Sequence, residues 1–225
     1  HFFNNFAENP KYLIISESPM INTNNTKLDL KKLFKKIFTY RDDLIDNVKY
    51  IKLNYSFKFP NFIPIDISKK EKLVVNISSN KFFNHPKELY SKRIEAIRWF
   101  EKYHPDDFDL YGIGWEPNKY VFERGRIGRM VNKIKFLEKM FTVKYHSYKG
   151  RVERKYDVLH KYKFGICYEN IRDVPGYITE KIFDIFFAGS VPIYWGANNV
   201  EEHIPKECFI EKREFKTYKK LYNYM

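Results

Sequence analysis

Glu180 and Lys181 open an apolar run, Ile182-Phe183-Asp184-Ile185-Phe186-Phe187, that closes at Ala188-Gly189. At 100° per residue the isoleucines and phenylalanines cover most of a helical circumference, leaving a narrow polar stripe of Glu180, Lys181 and Asp184, the pattern of a buried helix. Charges on the first turn of such a helix need a partner or a ligand. The free N–H groups and positive dipole end there favour an anion such as a phosphate. Lys181 would add a point charge, and Glu180 an acceptor for ribose or sugar hydroxyls. The same pattern also fits a capped core helix with a solvated rim. A second cation raises a similar question. On a wheel spanning 86–103, Leu89, Tyr90, Ile94, Ile97 and Phe100 form an apolar arc, and Arg93 falls inside it. A core-facing arginine is costly unless an anion pairs with it, either a buried carboxylate or a diphosphate. Glu17 directly follows an apolar strand pattern at Tyr12–Ser16. Ligands of α/β sheets collect at that edge, although a turn carboxylate would serve equally there.

These residues need elements to hold them. Tyr162–Gly196 reads as strand (Phe164–Tyr168), loop with Asp173, Pro175 and Gly176, helix (Tyr177–Ala188, stopped by Gly189) and strand (Val191–Trp195). Such a unit is a right-handed crossover between parallel strands. Upstream, the pattern predicts a helix over Leu28–Phe38, a proline-bearing linker over Phe59–Lys70, a strand over Lys72–Ser78, a helix over Pro86–Tyr103 and a strand over Phe108–Tyr111. Residues 116–145 read as a basic insertion with Arg124, Arg126 and Arg129 and an amphipathic helix over Met130–Phe141, serving as solvated surface or as an acceptor or membrane contact. A helix over Val152–Lys161 follows; Cys167 falls in a buried strand and Cys208 in a later one.

The 225 residues are 44% hydrophobic and 19% aromatic, enough to build one large or two small cores. No apolar run is long enough to span a bilayer. Two cysteines make no disulfide framework. The formal charge of +13 fits an anionic partner: a nucleoside diphosphate, a membrane surface or a nucleic acid. Lysines scattered along the chain, not blocked together, weigh against nucleic acid.

The stretch YKFGICYEN…GYITEKIFDIFFAGSVPIYWG strongly resembles the signature of the α1,3/α1,4-fucosyltransferases, glycosyltransferase family 10. The shared parts are Tyr162-Lys163-Phe164, Glu169-Asn170, Tyr177-Ile178-Thr179-Glu180-Lys181, Ala188-Gly189-Ser190-Val191-Pro192 and Gly196. The resemblance implies a GT-B architecture: two Rossmann-like α/β domains facing across a cleft, an acceptor-side one in residues 1–66 that is truncated, and a donor-binding one in 67–225. It implies inverting transfer of L-fucose from GDP-β-L-fucose to a hydroxyl, expected to be O3 of GlcNAc or glucose, on an oligosaccharide or glycoconjugate. Arg93, Asn170, Tyr177, Thr179, Glu180 and Lys181 would bind the donor. Glu17, in the Glu17-Ser18-Pro19 element, would be the base. No metal is required, since cationic side chains and a helix N-terminus can balance the departing diphosphate. The family's Pro-Tyr-Gly element is replaced by Tyr55-Ser56-Phe57-Lys58-Phe59-Pro60. Low cysteine content favours the cytoplasm or a cytosol-facing membrane periphery, or the Golgi membrane in a eukaryote, with peripheral contact through the basic surface and no nucleic acid. The competing readings are a basic polyanion-binding or nucleic-acid-binding module and an inactive glycan-binding member of the family.

Overall fold

The computed structural model describes residues 10–21, 30–55, 58–63, 65–116 and 144–225. Its strands fall into two wholly parallel sheets. The first is β1 (Tyr12–Ile15), β2 (Lys36–Thr39) and β3 (Tyr50–Lys52), in that order, with a four-residue helix α1 (Leu30–Leu33) between β1 and β2. The expected helix over Leu28–Phe38 is therefore corrected: it stops at Leu33, and Lys-Ile-Phe-Thr becomes the central strand. Pairing on both sides decides this, with Ile37 and Thr39 fully buried against the rest of the unit.

The second sheet is built from β4 (Lys72–Ile77), β5 (Phe108–Tyr111), β6 (Tyr162–Tyr168), β7 (Val191–Trp195) and β8 (Ile210–Glu211), in the order β5-β4-β6-β7-β8. Helix α2 (Tyr90–Tyr103) links β4 to β5, α3 (Tyr156–Leu159) precedes β6, α4 (Glu180–Phe187) links β6 to β7, and α5 (Tyr218–Tyr224) follows β8. Alternating side chains feed two cores, one on each face. Val74, Leu110, Ile166 and Ile193 pack with Ile97 and Phe100 of α2 and Leu221 of α5. Val75, Cys167 and Tyr194 pack with Ile182 and Ile185 of α4. Burial on both faces is the expected setting of a parallel sheet, and the α/β GT-B expectation holds.

Several boundaries move. Helix α2 begins at Tyr90, with Pro86 in the preceding turn, and α3 is shorter than the expected Val152–Lys161. Helix α4 begins at Glu180 and is buried on one face only: Ile182 and Ile185 are inside, while Phe183, Phe186 and Phe187 are half-exposed. Phe59 of the linker covers part of the outer face, with ring centroids 5.8 Å from Phe183 and 5.3 Å from Phe187. Cys208 is exposed in a short 3-10 turn and not in a strand. The expected helix Met130–Phe141, with Arg124, Arg126 and Arg129, lies outside the described residues.

Candidate functional site

The second sheet begins at β4 and then extends to β5 on one side and to β6 on the other. Where strand order reverses in this way, the helices diverge and leave a crevice at the carboxyl ends of the strands. A cavity of about 360 Å³ opens there. It is lined by Val75–Ser79 at the end of β4, Gly165, Ile166 and Tyr168 of β6, Tyr90 and Arg93 of α2, Asn170, and Glu180, Lys181 and Asp184 of α4. Among the described residues Lys81, Arg93, Lys155 and Lys181 face it together with Glu180 and Asp184, so that charged lining is net positive.

Arg93 is buried, at 5% exposure. Its Nη2 lies 2.7 Å from the carbonyl oxygen of Tyr168, 2.9 Å from that of Glu169 and 3.1 Å from Oδ1 of Asn170. Neither a buried carboxylate nor a ligand alone accounts for its placement: polar oxygens at the end of β6 hold it, which fixes the guanidinium at the cavity wall. Burial pulls its pKa down, opposed mainly by Tyr90, whose ring lies 4.8 Å from the guanidinium carbon, and by Glu169. Asn170 completes the contact, its Nδ2 3.5 Å from the Tyr177 hydroxyl.

At the first turn of α4, Thr179 is the N-cap residue, but its hydroxyl does not cap the helix. Instead both its N–H (2.8 Å) and its Oγ1 (2.9 Å) bond to the carboxylate of Glu169, which has no exposed surface. Lys181 Nζ donates to Glu169 Oε2 at 2.9 Å and to Thr179 Oγ1 at 2.7 Å. Burial alone would lower the Lys181 pKa, yet Glu169 and Glu180 outweigh it and raise it. Burial likewise pushes Glu180 up, but Lys181, Lys155 and hydrogen bonds from its own backbone and Thr179 together outweigh it, so its carboxyl sits below its ordinary value. Sequence reasoning assigned Glu169 no role. The available signal was a carboxylate at the end of an apolar strand, ten residues before a Thr-Glu-Lys helix start.

Glu17 sits just past the end of β1 and is exposed. Its backbone is pinned by two tyrosines: the Tyr40 hydroxyl donates to the Glu17 carbonyl at 3.2 Å, and the Tyr55 hydroxyl donates to that of Ser16. Tyr40 and Tyr55 stack at 5.8 Å, and both pack on Tyr177, at 5.1 and 6.3 Å. Burial pushes both hydroxyls up, and the charges of Glu17 and Glu169 add to the effect on each. Burial also raises Tyr90, which senses Arg93 and Lys181 together with Glu17. Of these three tyrosines Tyr90 lines the cavity, and it senses the charge of Glu17. Tyr55 belongs to the stretch standing where the family's Pro-Tyr-Gly element is missing, and it gives that stretch a task.

The two sheets meet through the loop from β6 to α4. Ile171, Val174 and Tyr177 pack with Ile15, Phe34, Ile37 and Tyr40. Gly176 has φ +73°, and a Cβ there would collide with the Tyr40 carbonyl oxygen. Asp42 accepts from Lys52, from Asn199 Nδ2 at 2.8 Å and pairs with His203 Nε2 at 2.7 Å. Asp42, Glu202 and His203 are, among the described residues, a trio whose ligand atoms lie within 4.8 Å of one another. The Asp42 carboxylate is already engaged by its neighbours, and none of the three lines the cavity.

The family profile described as "Glycosyltransferase family 10 (fucosyltransferase) C-term" matches residues 67–225. The chain belongs to glycosyltransferase family 10. Within the family it is 36% identical over 74 residues to the alpha-(1,3)-fucosyltransferase FucT of Helicobacter pylori, a stretch covering 33% of this chain and 15% of that one. It is 26% identical over 201 residues to the 4-galactosyl-N-acetylglucosaminide 3-alpha-L-fucosyltransferase 9 of Mus musculus, covering 88% of this chain and 44% of the relative. The chain thus spans less than half the length of these curated relatives. In three dimensions it is similar to an alpha1,3-fucosyltransferase crystallised with GDP, with a TM-score of 0.58 at 18% identity, covering 98% of this chain and 62% of the other. The complex with GDP-fucose gives 0.57 at 17%, covering 96% and 61%. At these identities the likeness is one of fold.

Proposed function

We propose that the chain is the donor-binding half and part of the acceptor side of an inverting family 10 fucosyltransferase, which moves L-fucose from GDP-β-L-fucose to a glycan hydroxyl without an obligatory metal. The observation that carries this reading is the cavity at the strand-order reversal, where Arg93, Lys181 and the first turn of α4 converge. Two phosphates there would meet two fixed cations and the positive dipole end of a helix. Glu180 and Asn170 supply acceptors and donors for ribose or fucose hydroxyls. Attack by the acceptor oxygen on fucose C1 breaks the bond from C1 to the diphosphate, and the acceptor proton passes to Glu17. The charge that develops on GDP is balanced by Arg93 and Lys181. The acceptor is proposed to present O3 of GlcNAc or glucose; the mouse relative's name supports the first of these, an N-acetylglucosaminide.

The test is incubation of the chain with GDP-fucose and a panel of N-acetyllactosamine-type and glucose-containing acceptors, in EDTA, with product linkage read by NMR. An α-linked fucoside is expected. A β-linked product removes inversion, and activity restored only by Mn²⁺ or Mg²⁺ removes metal independence. Absence of any GDP binding by calorimetry overturns the donor assignment itself.

A further inference from the structure

We infer that Glu169 is a positioning residue that sets the charge and aim of Lys181 at the cavity; this rests on the reading that the cavity takes a nucleoside diphosphate. A carboxylate with no exposed surface is costly unless fully paired. Glu169 meets that requirement with the N–H and hydroxyl of Thr179 and the ammonium of Lys181, all at 2.8–2.9 Å. Its own carbonyl oxygen accepts from Arg93. One residue therefore touches both cations assigned to the diphosphate, the arginine through its main chain and the lysine through its side chain.

Room for this arrangement is built into the fold. A Cβ on Gly196 would lie 2.6 Å from Glu169 Cγ, so the glycine that closes the Tyr162–Gly196 stretch leaves space for the carboxylate. Of the three N–H groups of Lys181, Glu169 and Thr179 engage two, which leaves one for a ligand in the cavity that Lys181 lines. The other charges around the ammonium are Glu180 of α4 at 3.8 Å and Arg93 of α2; Lys155, ahead of α3, lies 3.9 Å from Glu180. Arg93 disfavours the protonated lysine and Glu180 is 46% exposed, so the fully buried Glu169 is the dependable counter-charge. Glu169 touches no reacting atom. It acts through Lys181.

The test uses Glu169→Gln, which keeps the shape and one acceptor oxygen but removes the charge. The first readout is NMR titration of Lys181 in the ligand-free protein. The midpoint is expected to fall by about one pH unit or more, the scale for a buried lysine that loses its carboxylate. The second is GDP affinity by calorimetry from pH 7 to 10, whose alkaline limb should shift down with the lysine. In a Lys181→Met background, Glu169→Gln should change GDP affinity less than about twofold, because coupled residues are not additive. If Glu169→Gln fails to fold, Glu169→Asp keeps the charge but draws the carboxylate back from the ammonium, and should lower the Lys181 midpoint in the same direction. An unchanged Lys181 titration, or additive losses in the double variant, overturns the inference. Should wild type bind no GDP, the diphosphate reading falls and the Lys181 titration alone decides the role of Glu169.

Discussion

Glu17 and Glu180 are the two candidates for the base of the proposed transfer, and their surroundings separate them. Glu180 stands between Lys181 and Lys155, which hold its carboxyl below the ordinary range and make it a weak proton acceptor at neutral pH. Glu17 is exposed, and tyrosine hydroxyls fix the main chain on either side of it. Glu17→Gln is therefore expected to leave GDP affinity nearly unchanged and to lower single-turnover fucose transfer by roughly 10²–10⁴, the range for a lost general base. Turnover within about threefold of wild type would return the role to Glu180. Arg93 has two duties. Its Nη2 holds the end of β6 as well as facing the cavity. Arg93→Ala should thus weaken GDP binding and also cost about 1–3 kcal/mol of folding stability, the scale for buried acceptors left unpaired. Calorimetry and urea unfolding read the two separately. A variant with full stability and weakened GDP binding would mean that the carbonyl contacts contribute nothing to the fold.

Elements whose identity is local were legible in the chain. Phe108–Tyr111 and Val191–Trp195 are short apolar strands with clear punctuation, and both occur where the pattern puts them. Strand β2 was not legible. Leu30, Leu33, Phe34 and Ile37 keep a helical spacing, and only simultaneous pairing with β1 and β3, at partners many residues away, turns Lys36–Thr39 into a strand. Helix α4 misleads differently: its composition reads as buried all round, while part of its outer face packs on Phe59 of the linker. The two cations at the cavity were visible because a charge inside an apolar pattern is a local anomaly. The tyrosine platform under Glu17 was not, since Tyr40, Tyr55 and Tyr177 meet only in three dimensions. The loop from β6 to α4 that joins them depends on Gly176. Gly176→Ala demands a left-handed residue with a side chain against the Tyr40 carbonyl. A loss of at least roughly 1–3 kcal/mol is expected by thermal or urea unfolding, and a wild-type midpoint would show that the loop can shift freely.

At the scale of the whole molecule, the proposed transfer requires the unit bearing Glu17 to stay docked on the unit bearing the cavity, and the Asp42 cluster is the polar part of that junction. Asp42 follows β2, while Asn199 and His203 follow β7, so its bonds cross between the two sheets. Burial pushes the Asp42 carboxyl up, but the bonds from Lys52, Asn199 and His203 outweigh it and leave the pKa below its ordinary value of 3.8. A depressed carboxylate stabilises the folded state fully above that ordinary value, and the contribution disappears as pH falls through the depressed one. Asp42→Asn removes the charge and nearly none of the volume. The difference in unfolding free energy between wild type and this variant should be about 1 kcal/mol at pH 5, and should close as pH falls below 3.8. Function should divide along the same line. Because the residues proposed to bind GDP belong to the second unit, the variant should keep its GDP affinity, whereas fucose transfer, for which Glu17 of the first unit is the proposed base, should fall. A stability gap that stays constant down to pH 3, or equal losses of GDP affinity and transfer, would show that Asp42 does not hold the two units together.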